Sequence, residues 1–367
     1  MKRGLETFQL ELCVVGPVFI GNGYEIQKKE YQFLDQQTIG VVDIEKLYLL
    51  AQKKKLTKDL ERFFLEDSRE DLKYWAIRNS ISKKEMEDCM KYTMNAGDIQ
   101  REKGRMQIMA CIKDPYGNPY IPGSSIKGML RTILLCAELM KQEKKYDIDR
   151  ENIVLNLRQE NVKRKQVLAR DIKNIECKTF HTLNRPDQKK TDAVNDNMSG
   201  IIISDSEPLS CNDLILCQKW EQHMDGSYKT LNLLRECIKP GARIKSTLTI
   251  DRTMNDITIE EIRQAIELFY NMYYDIFQRK FPHHKRGSSA TVFLGGGSGF
   301  VSKTMIYALF GEIEGIRVAS KIFENTGVPS KHKHFKDVRW GVSPHILKCT
   351  KYRGREYMMG QCEVNIY

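Results

Sequence analysis

The sequence predicts an α+β chain of two domains, and three observations lead there. Its 367 residues suffice for two domains of ordinary size, about 100 to 200 residues each. Short alternating runs such as Thr7 to Val15 read as strands, while Ile259 to Gln278 repeats apolar residues at helical spacing through Ile262, Ile266, Phe269 and Tyr273. Helices set between antiparallel strands stack as α+β layers. With 41% hydrophobic residues, the chain is not disordered throughout.

Along the chain, the strand ending at Val15 gives way to a loop from Gly16 to Gly23. Glu30 to Leu34 and Gly40 to Asp43 read as a strand pair around Gln36-Gln37-Thr38, and Asp43 then caps a helix reaching Leu50. Residues 51–95 are rich in Lys and Glu and carry Leu60, Phe63 and Phe64 at helical spacing, which predicts a helical insertion. Met106 to Ile112 and Tyr120-Ile121 flank the turn signal Asp114-Pro115-Tyr116-Gly117-Asn118, so a hairpin should deliver the chain into the next helix. From 141 to 197 apolar periodicity weakens, and a long insertion, partly helical and partly mobile, is expected. Gly200 to Asp205 restores strand character, placing the domain boundary between 1–198 and 199–367. Strands near Asp213 to Gln218, Leu231 to Cys237 and Gly241 to Ile250 precede the Ile259 helix. A strand at Ala290 to Leu294, a glycine loop, a helix around Thr304 to Leu309 and a final strand at Gln361 to Tyr367 follow it.

A net charge of +11 and a pI near 9.0 point to an anionic partner. Lys331 to Arg355 holds eight Lys or Arg against the single acid Asp337, interleaved with Phe335, Trp340 and Tyr352. Cations hold phosphates and rings stack on bases, so this mix suits single-stranded nucleic acid; a solvated basic surface is the plain alternative. The ten cysteines show no Cys-x-x-Cys pair or zinc-finger spacing, so reduced, buried thiols and no metal or cofactor are expected. No apolar run of about 18 residues is present to cross a membrane, and a cytoplasmic location is expected.

The stretch Tyr120 to Arg131 is the most informative in the chain. Pro122 and Gly123 end an extended segment, Ser124 is placed to cap a helix, and Lys127 and Arg131 share one helical face. Backbone N–H groups, the hydroxyls of Ser124 and Ser125 and two cations would then converge on an anion. Gly123 would let another backbone approach, and Gly128 costs up to about 1 kcal/mol relative to Ala in a helix. A helix cap with surface cations is the plainer reading.

Gly297 to Thr304 nearly spells a phosphate-binding loop, but Ser302 stands where that motif has its second glycine, which argues against nucleotide hydrolysis. A tight turn also explains the glycines. His283, His284, Lys285 and Arg286 form a basic loop that reads as an electrostatic contact rather than a catalyst, and His332 and His334 are read the same way.

The run Pro122-Gly123-Ser124-Ser125-Ile126-Lys127-Gly128, followed by a hydrophobic pair and Arg131, resembles the glycine-rich helix start of the RAMP proteins of CRISPR systems. Val14 to Ile26, with Gly21 and Gly23, then Lys28-Lys29-Glu30-Tyr31 and Val42-Asp43, narrows the likeness to the end-capping subunits of type III-A Csm effector complexes. Echoes continue at Ser204-Asp205-Ser206, Arg235 to Gly241, Gly295 to Phe300 and Met359 to Cys362. The resemblance implies two ferredoxin-like, RRM-like RAMP domains with helical insertions. With it, RNA contacts are expected at Gly123, Ser124, Ser125, Lys127, Arg131, Gly21, Gly23 and Lys28 and at Gly295, Gly296, Gly297 and Gly299, and the basic loop adds Lys285 and Arg286 as electrostatic contacts. The resemblance further implies a CRISPR guide RNA partner, an adjacent backbone RAMP subunit and other complex subunits, with guide maturation by recruited nucleases. In related backbone subunits an aspartate six residues before the hairpin Asp cleaves the target; aligned on Asp114, that position is Ile108, which implies a chain without the cleaving carboxylate. A metal-independent RAMP endoribonuclease and a repeating backbone subunit remain as alternatives.

Overall fold

The computed structural model describes residues 4–66, 70–100, 106–158 and 166–367. The chain opens with β1 (Leu5–Val14), whose Leu10, Leu12 and Val14 alternate inward and are buried. Next come β2 (Gly21–Ile26), β3 (Tyr31–Phe33) and β4 (Thr38–Val42), then the helices α1 (Ile44–Lys53), α2 (Thr57–Leu65), α3 (Leu72–Arg78) and α4 (Lys83–Asp88). The Asp43 carboxylate accepts from the N–H groups of Glu45 and Lys46, so α1 starts at the expected cap. These four helices bury Leu47, Leu60, Phe63, Leu72, Trp75 and Met86 in a small core of their own. The predicted insertion is therefore helical, but its end returns to the sheet as β5 (Met90–Asn95).

After β6 (Ile108–Cys111) comes α5 (Gly123–Lys141), followed by α6 (Asp147–Asn156) and α7 (Ala169–Phe180). The described part of the polar 141–197 stretch is packed: Ile153, Leu157, Leu168, Ile175 and Phe180 all join the main core. A few anchors at wide spacing, rather than an amphipathic stripe, hold it, which is why periodicity underrates it; residues 159–165 of that expectation lie outside the described residues.

Then follow β7 (Ile201–Ile203), β8 (Leu214–His223), β9 (Tyr228–Ile238), β10 (Arg243–Asp251), α8 (Ile259–Ile276) and β11 (Thr291–Phe293). Thr258 and Glu261 close a reciprocal capping box at the start of α8. Helix α9 (Ile306–Asn325) runs far beyond the expected Leu309 and is kinked at Gly311 (φ 70°, ψ −167°). The chain ends with α10 (Asp337–Trp340), β12 (Ile346–Tyr352), β13 (Arg355–Met358) and β14 (Gln361–Ile366). The basic Lys331 to Arg355 stretch thus contains a strand that sequence composition concealed.

Two sheets organise the chain. The first has the order β11-β14-β1-β10-β7 with antiparallel neighbours, and α5 and α8 pack together over it. The second runs β2-β6-β9-β8-β5-β4-β3, with β12 and β13 extending from β8. Both draw strands from either side of residue 198: β1 lies between β10 and β14, while β6 pairs with β9 in parallel, Ile108 opposite Leu234. One main core consequently gathers residues from Leu10 to Ile366 in sequence. Among the described residues no helix is long and apolar enough to cross a membrane, and all ten cysteines are free thiols.

Candidate nucleic-acid interface

Helix α5 starts differently from the expectation. Pro122 takes the cap position with no side-chain cap bond from Ser124; instead the N–H of Gly123 donates to Asp205 Oδ1 at 2.8 Å. A Cβ on Gly123 would collide with the carbonyl oxygen of Ile203, so the backbone that glycine admits is the chain's own β7 end. The N–H of Ile121 donates to Ser206 Oγ at 2.9 Å, and Ser206 N–H donates back to the Ile121 carbonyl at 2.9 Å. Ser204-Asp205-Ser206 is therefore the clamp on this helix start, with the carboxylate already supplying its anion.

The two cations do not converge there either. At 100° per residue, Ser125, Gly128, Met129 and Thr132 share one face of α5, while Lys127 and Arg131 lie well round the helix from it. Arg131 pairs with Asp196 at 2.7 Å and Glu176 at 3.4 Å, and its guanidinium sits 4.4 Å from the Phe180 ring centroid. It fastens the 176–196 region to α5, and acids 45 and 65 residues away gave no local sequence signal. Lys127 is half-buried, and burial lowers its pKa, with Arg131 adding to the effect.

The other face of α5 meets the glycine loop. Ser125, Gly128 and Thr132 line one side of a cavity of about 270 Å³, with Leu294, Gly295 and Lys303 opposite and Ile20 between. Gly128 has open space where a Cβ would stand and so keeps this helix surface flat. Gly295, Gly297 and Gly299 have φ of 79°, 93° and 90°, a region other residues resist. A Cβ on Gly295 would strike the Phe19 carbonyl, to which the Gly296 N–H donates at 2.7 Å. The loop is thus pinned on the Val18 to Ile20 segment. Ser302 Oγ donates to the carbonyls of Ser298 and Gly299 at 3.0 and 3.3 Å, closing the turn where a nucleotide loop would present N–H groups.

Cations missed in the sequence flank this loop. Arg235 lies over the Phe19 ring at 5.3 Å, and a Cβ on Gly297 would come within 3.0 Å of its Nη1. Its Nε is buried without a hydrogen-bond partner, and it makes no ion pair among the described residues. The neighbouring carboxylate, Glu236, points to the opposite side of β9 and is taken by Lys113 at 2.5 Å, by the Cys111 N–H at 2.9 Å and by Tyr92. Burial lowers the pKa of Arg235 and of Lys303, and Arg235 also lowers that of Lys303. Half-buried Arg235 and exposed Lys303, neither ion-paired among the described residues, leave positive charge beside a pinned glycine loop, a site that gains from an anion.

The remaining expected residues lie apart. Gly21 and Gly23 are exposed on β2, at one end of the second sheet, and Lys28 follows it, half-buried. Lys285 is exposed, and Arg286 sits over the Tyr274 ring at 4.9 Å and donates to Asn271 Oδ1 at 2.5 Å; neither lines the cavity. His284 is held between Gln222 Oε1 at 2.8 Å and Glu356 Oε1 at 2.9 Å. Asp337, fully buried, receives His334 Nδ1 at 2.9 Å, His345 Nδ1 at 2.6 Å and Ser343 Oγ at 2.7 Å. Among the described residues those two imidazoles and the carboxylate are the ligand-type groups close enough to share an ion, and in this structure both imidazoles bond the carboxylate. Ile108 is completely buried in β6.

An α+β scaffold with a pinned glycine loop beside a Pro-Gly-Ser-Ser helix has a clear relationship: the chain belongs to the RAMP superfamily, whose family model matches residues 11–302. Its relatives within that superfamily are Csm5 proteins. It is 30% identical to the CRISPR system Cms protein Csm5 of Mycobacterium tuberculosis, over 100% of this chain and 99% of that protein. It is 29% identical to the Streptococcus thermophilus protein of the same name, over 86% and 84%. The fold matches the crystal structure of T. onnurineus Csm5 with a TM-score of 0.61 at 19% identity, covering 96% of this chain and 99% of that one. It also matches a chain in the cryo-EM structure of a Csm–crRNA–target RNA ternary complex of a type III-A system, with a TM-score of 0.62 at 20% identity, covering 98% and 100%.

Proposed function

We propose that this chain is a non-catalytic, guide-RNA-binding subunit of a type III-A CRISPR effector, acting in the cytoplasm and capping the backbone at the 3′ portion of the guide. The observation that carries the reading is the cavity between α5 and the glycine loop, with Arg235 and Lys303 beside it and neither ion-paired to a carboxylate among the described residues. A ribose-phosphate strand fits that chemistry, held by charge and by close backbone approach rather than by base edges. Relationship to Csm5 proteins and likeness to a chain from a Csm–crRNA–target RNA complex support it.

In this reading the sheet order β14-β1-β10-β7 with α5 and α8 is one ferredoxin-like unit and the second sheet belongs to another. The stretches 1–198 and 199–367 are then halves in chain order that exchange strands. The α1 to α4 insertion and the α6–α7 region would cover surface that otherwise admits a further backbone subunit, and nucleases that mature the guide would be recruited rather than built in. Gly21, Gly23, Lys28, Lys127, Lys285 and Arg286 would meet RNA or the adjoining subunit outside the central cavity. Buried Ile108 in place of an aspartate and the engaged His284 support the absence of cleavage.

The test is incubation of purified chain with labelled guide precursor, with and without divalent metal. Salt-sensitive binding without cleavage is expected, and one copy per particle by native mass measurement. Cleavage lost in a His283→Ala/His284→Ala variant would instead establish an endoribonuclease, and several copies a backbone subunit.

A further inference from the structure

A second cavity, lined by none of the residues that line the groove just described, opens beside β8 and β12. It is about 500 Å³, within the ~300 to 1,000 Å³ typical of small-molecule sites. Trp340, His332, His345 and His223 give it an aromatic wall, and Lys229, Lys331 and Lys333 stand around it. Its two acids are already engaged: Glu221 pairs with Lys219 at 3.4 Å and with Lys348, while Asp225 Oδ1 accepts from Ser227 N–H at 2.9 Å and Oγ at 2.6 Å. The three lysines are exposed and make no ion pair among the described residues. Charge that seeks an anion is therefore left at the mouth, and flat rings line the interior.

The wall is braced. His345 lies edge-to-face with Trp340 at 4.5 Å, and its Nδ1 is held by Asp337, which leaves Nε2 without a partner among the described residues. Burial lowers the pKa of His332 despite Glu221, which favours the neutral ring and its hydrogen-bonding capacity. Trp340 keeps 37% of its surface exposed, enough for a base to stack on it.

From this juxtaposition we infer that the cavity holds one nucleotide of a single RNA strand, its base against Trp340 and His345 and its flanking phosphates on Lys229, Lys331 and Lys333. A duplex would keep its base faces stacked away from such a wall, so the strand must be unpaired. The site rests on the RNA-binding reading above and adds a second contact to it.

The experiment uses the full-length chain and a fluorescein-labelled oligouridylate, followed by anisotropy across a salt series, with Trp340 emission as a second readout. Trp340→Ala should weaken binding about 10-fold. Lys229→Gln/Lys331→Gln/Lys333→Gln should flatten the log–log salt slope by about 2, since each phosphate contact on a single strand contributes ~0.7. Uridine monophosphate should quench tryptophan emission in the parent and less in Trp340→Phe, confirming entry of a nucleotide. An Arg235→Gln/Lys303→Gln variant should lose affinity while keeping that quench. If the lysine variant binds RNA as the parent does while Arg235→Gln/Lys303→Gln fails, the pocket is overturned and the groove stands. If neither variant weakens binding, the RNA-binding reading itself is overturned. Quenching by an acidic peptide but not by RNA or nucleotide would assign the cavity to a protein partner and end the proposal.

Discussion

The N–H of Gly123 donates to Asp205 Oδ1 at 2.8 Å across 82 residues of sequence. The helix start that the sequence offers as an open anion site is thus closed from within, and α5 turns a different face to the glycine loop. Removing the carboxylate with Asp205→Ala should cost about 0.5 to 2 kcal/mol, the usual range for a lost cap. Denaturant unfolding measures the cost; an unchanged midpoint would show that the contact contributes nothing.

Gly128 separates stability from binding. It is helical, exposed and faces open space, so Gly128→Ala should stabilise the fold by up to about 1 kcal/mol. The added methyl enters the cavity shared with Gly295, so RNA affinity should fall while the melting temperature rises. A rise in both would remove this face from the interface.

Arg131 and Lys303 should behave oppositely, although both are cations near the RAMP motifs. Arg131→Met breaks two ion pairs and a ring contact and should cost about 1 to 3 kcal/mol. Lys303→Gln, with no ion pair to break among the described residues, should leave unfolding nearly unchanged and reduce the salt dependence of RNA binding. Paired thermal melts and salt-series titrations distinguish the two roles.

Asp337 sets an acid limit. Burial alone would raise its pKa, but hydrogen bonds from His334, His345 and Ser343 outweigh this and hold it below the ordinary carboxylate value. Because the folded pKa is depressed, its stabilisation is complete above the unfolded value near ~3.9 and disappears as pH falls through the folded one. Asp337→Asn should destabilise by about 1 to 3 kcal/mol at pH 7 and show a shallower loss of stability below pH ~4 than the parent. Parallel acid-unfolding slopes would contradict this.

Local chemistry was legible from the residues alone: the Asp43 cap, the Ile259 helix, the turn after Asp114 and the glycine loop all sit where their residue types require. Such features depend on neighbours within a few positions. The hairpin of β12 and β13 was hidden because β12 buries residues on both faces, Leu347 and Cys349 on one and Ile346, Thr350 and Tyr352 on the other, so no period-two alternation marks it among the lysines and arginines. His345 escaped notice because only folding brings it onto Asp337.

By itself, then, the sequence determined an α+β chain of RAMP type, basic overall, with a Pro-Gly-Ser-Ser helix and a glycine loop, since composition and short-range spacing encode those directly. Tertiary structure decided which face of α5 meets that loop, that Arg131 is spent on Asp196 while Arg235 has no ion pair among the described residues, and that β1 joins strands from the far end of the chain. The physical reason is that electrostatic partners and strand pairings are settled by distance in space, and here the decisive ones lie tens to hundreds of residues apart.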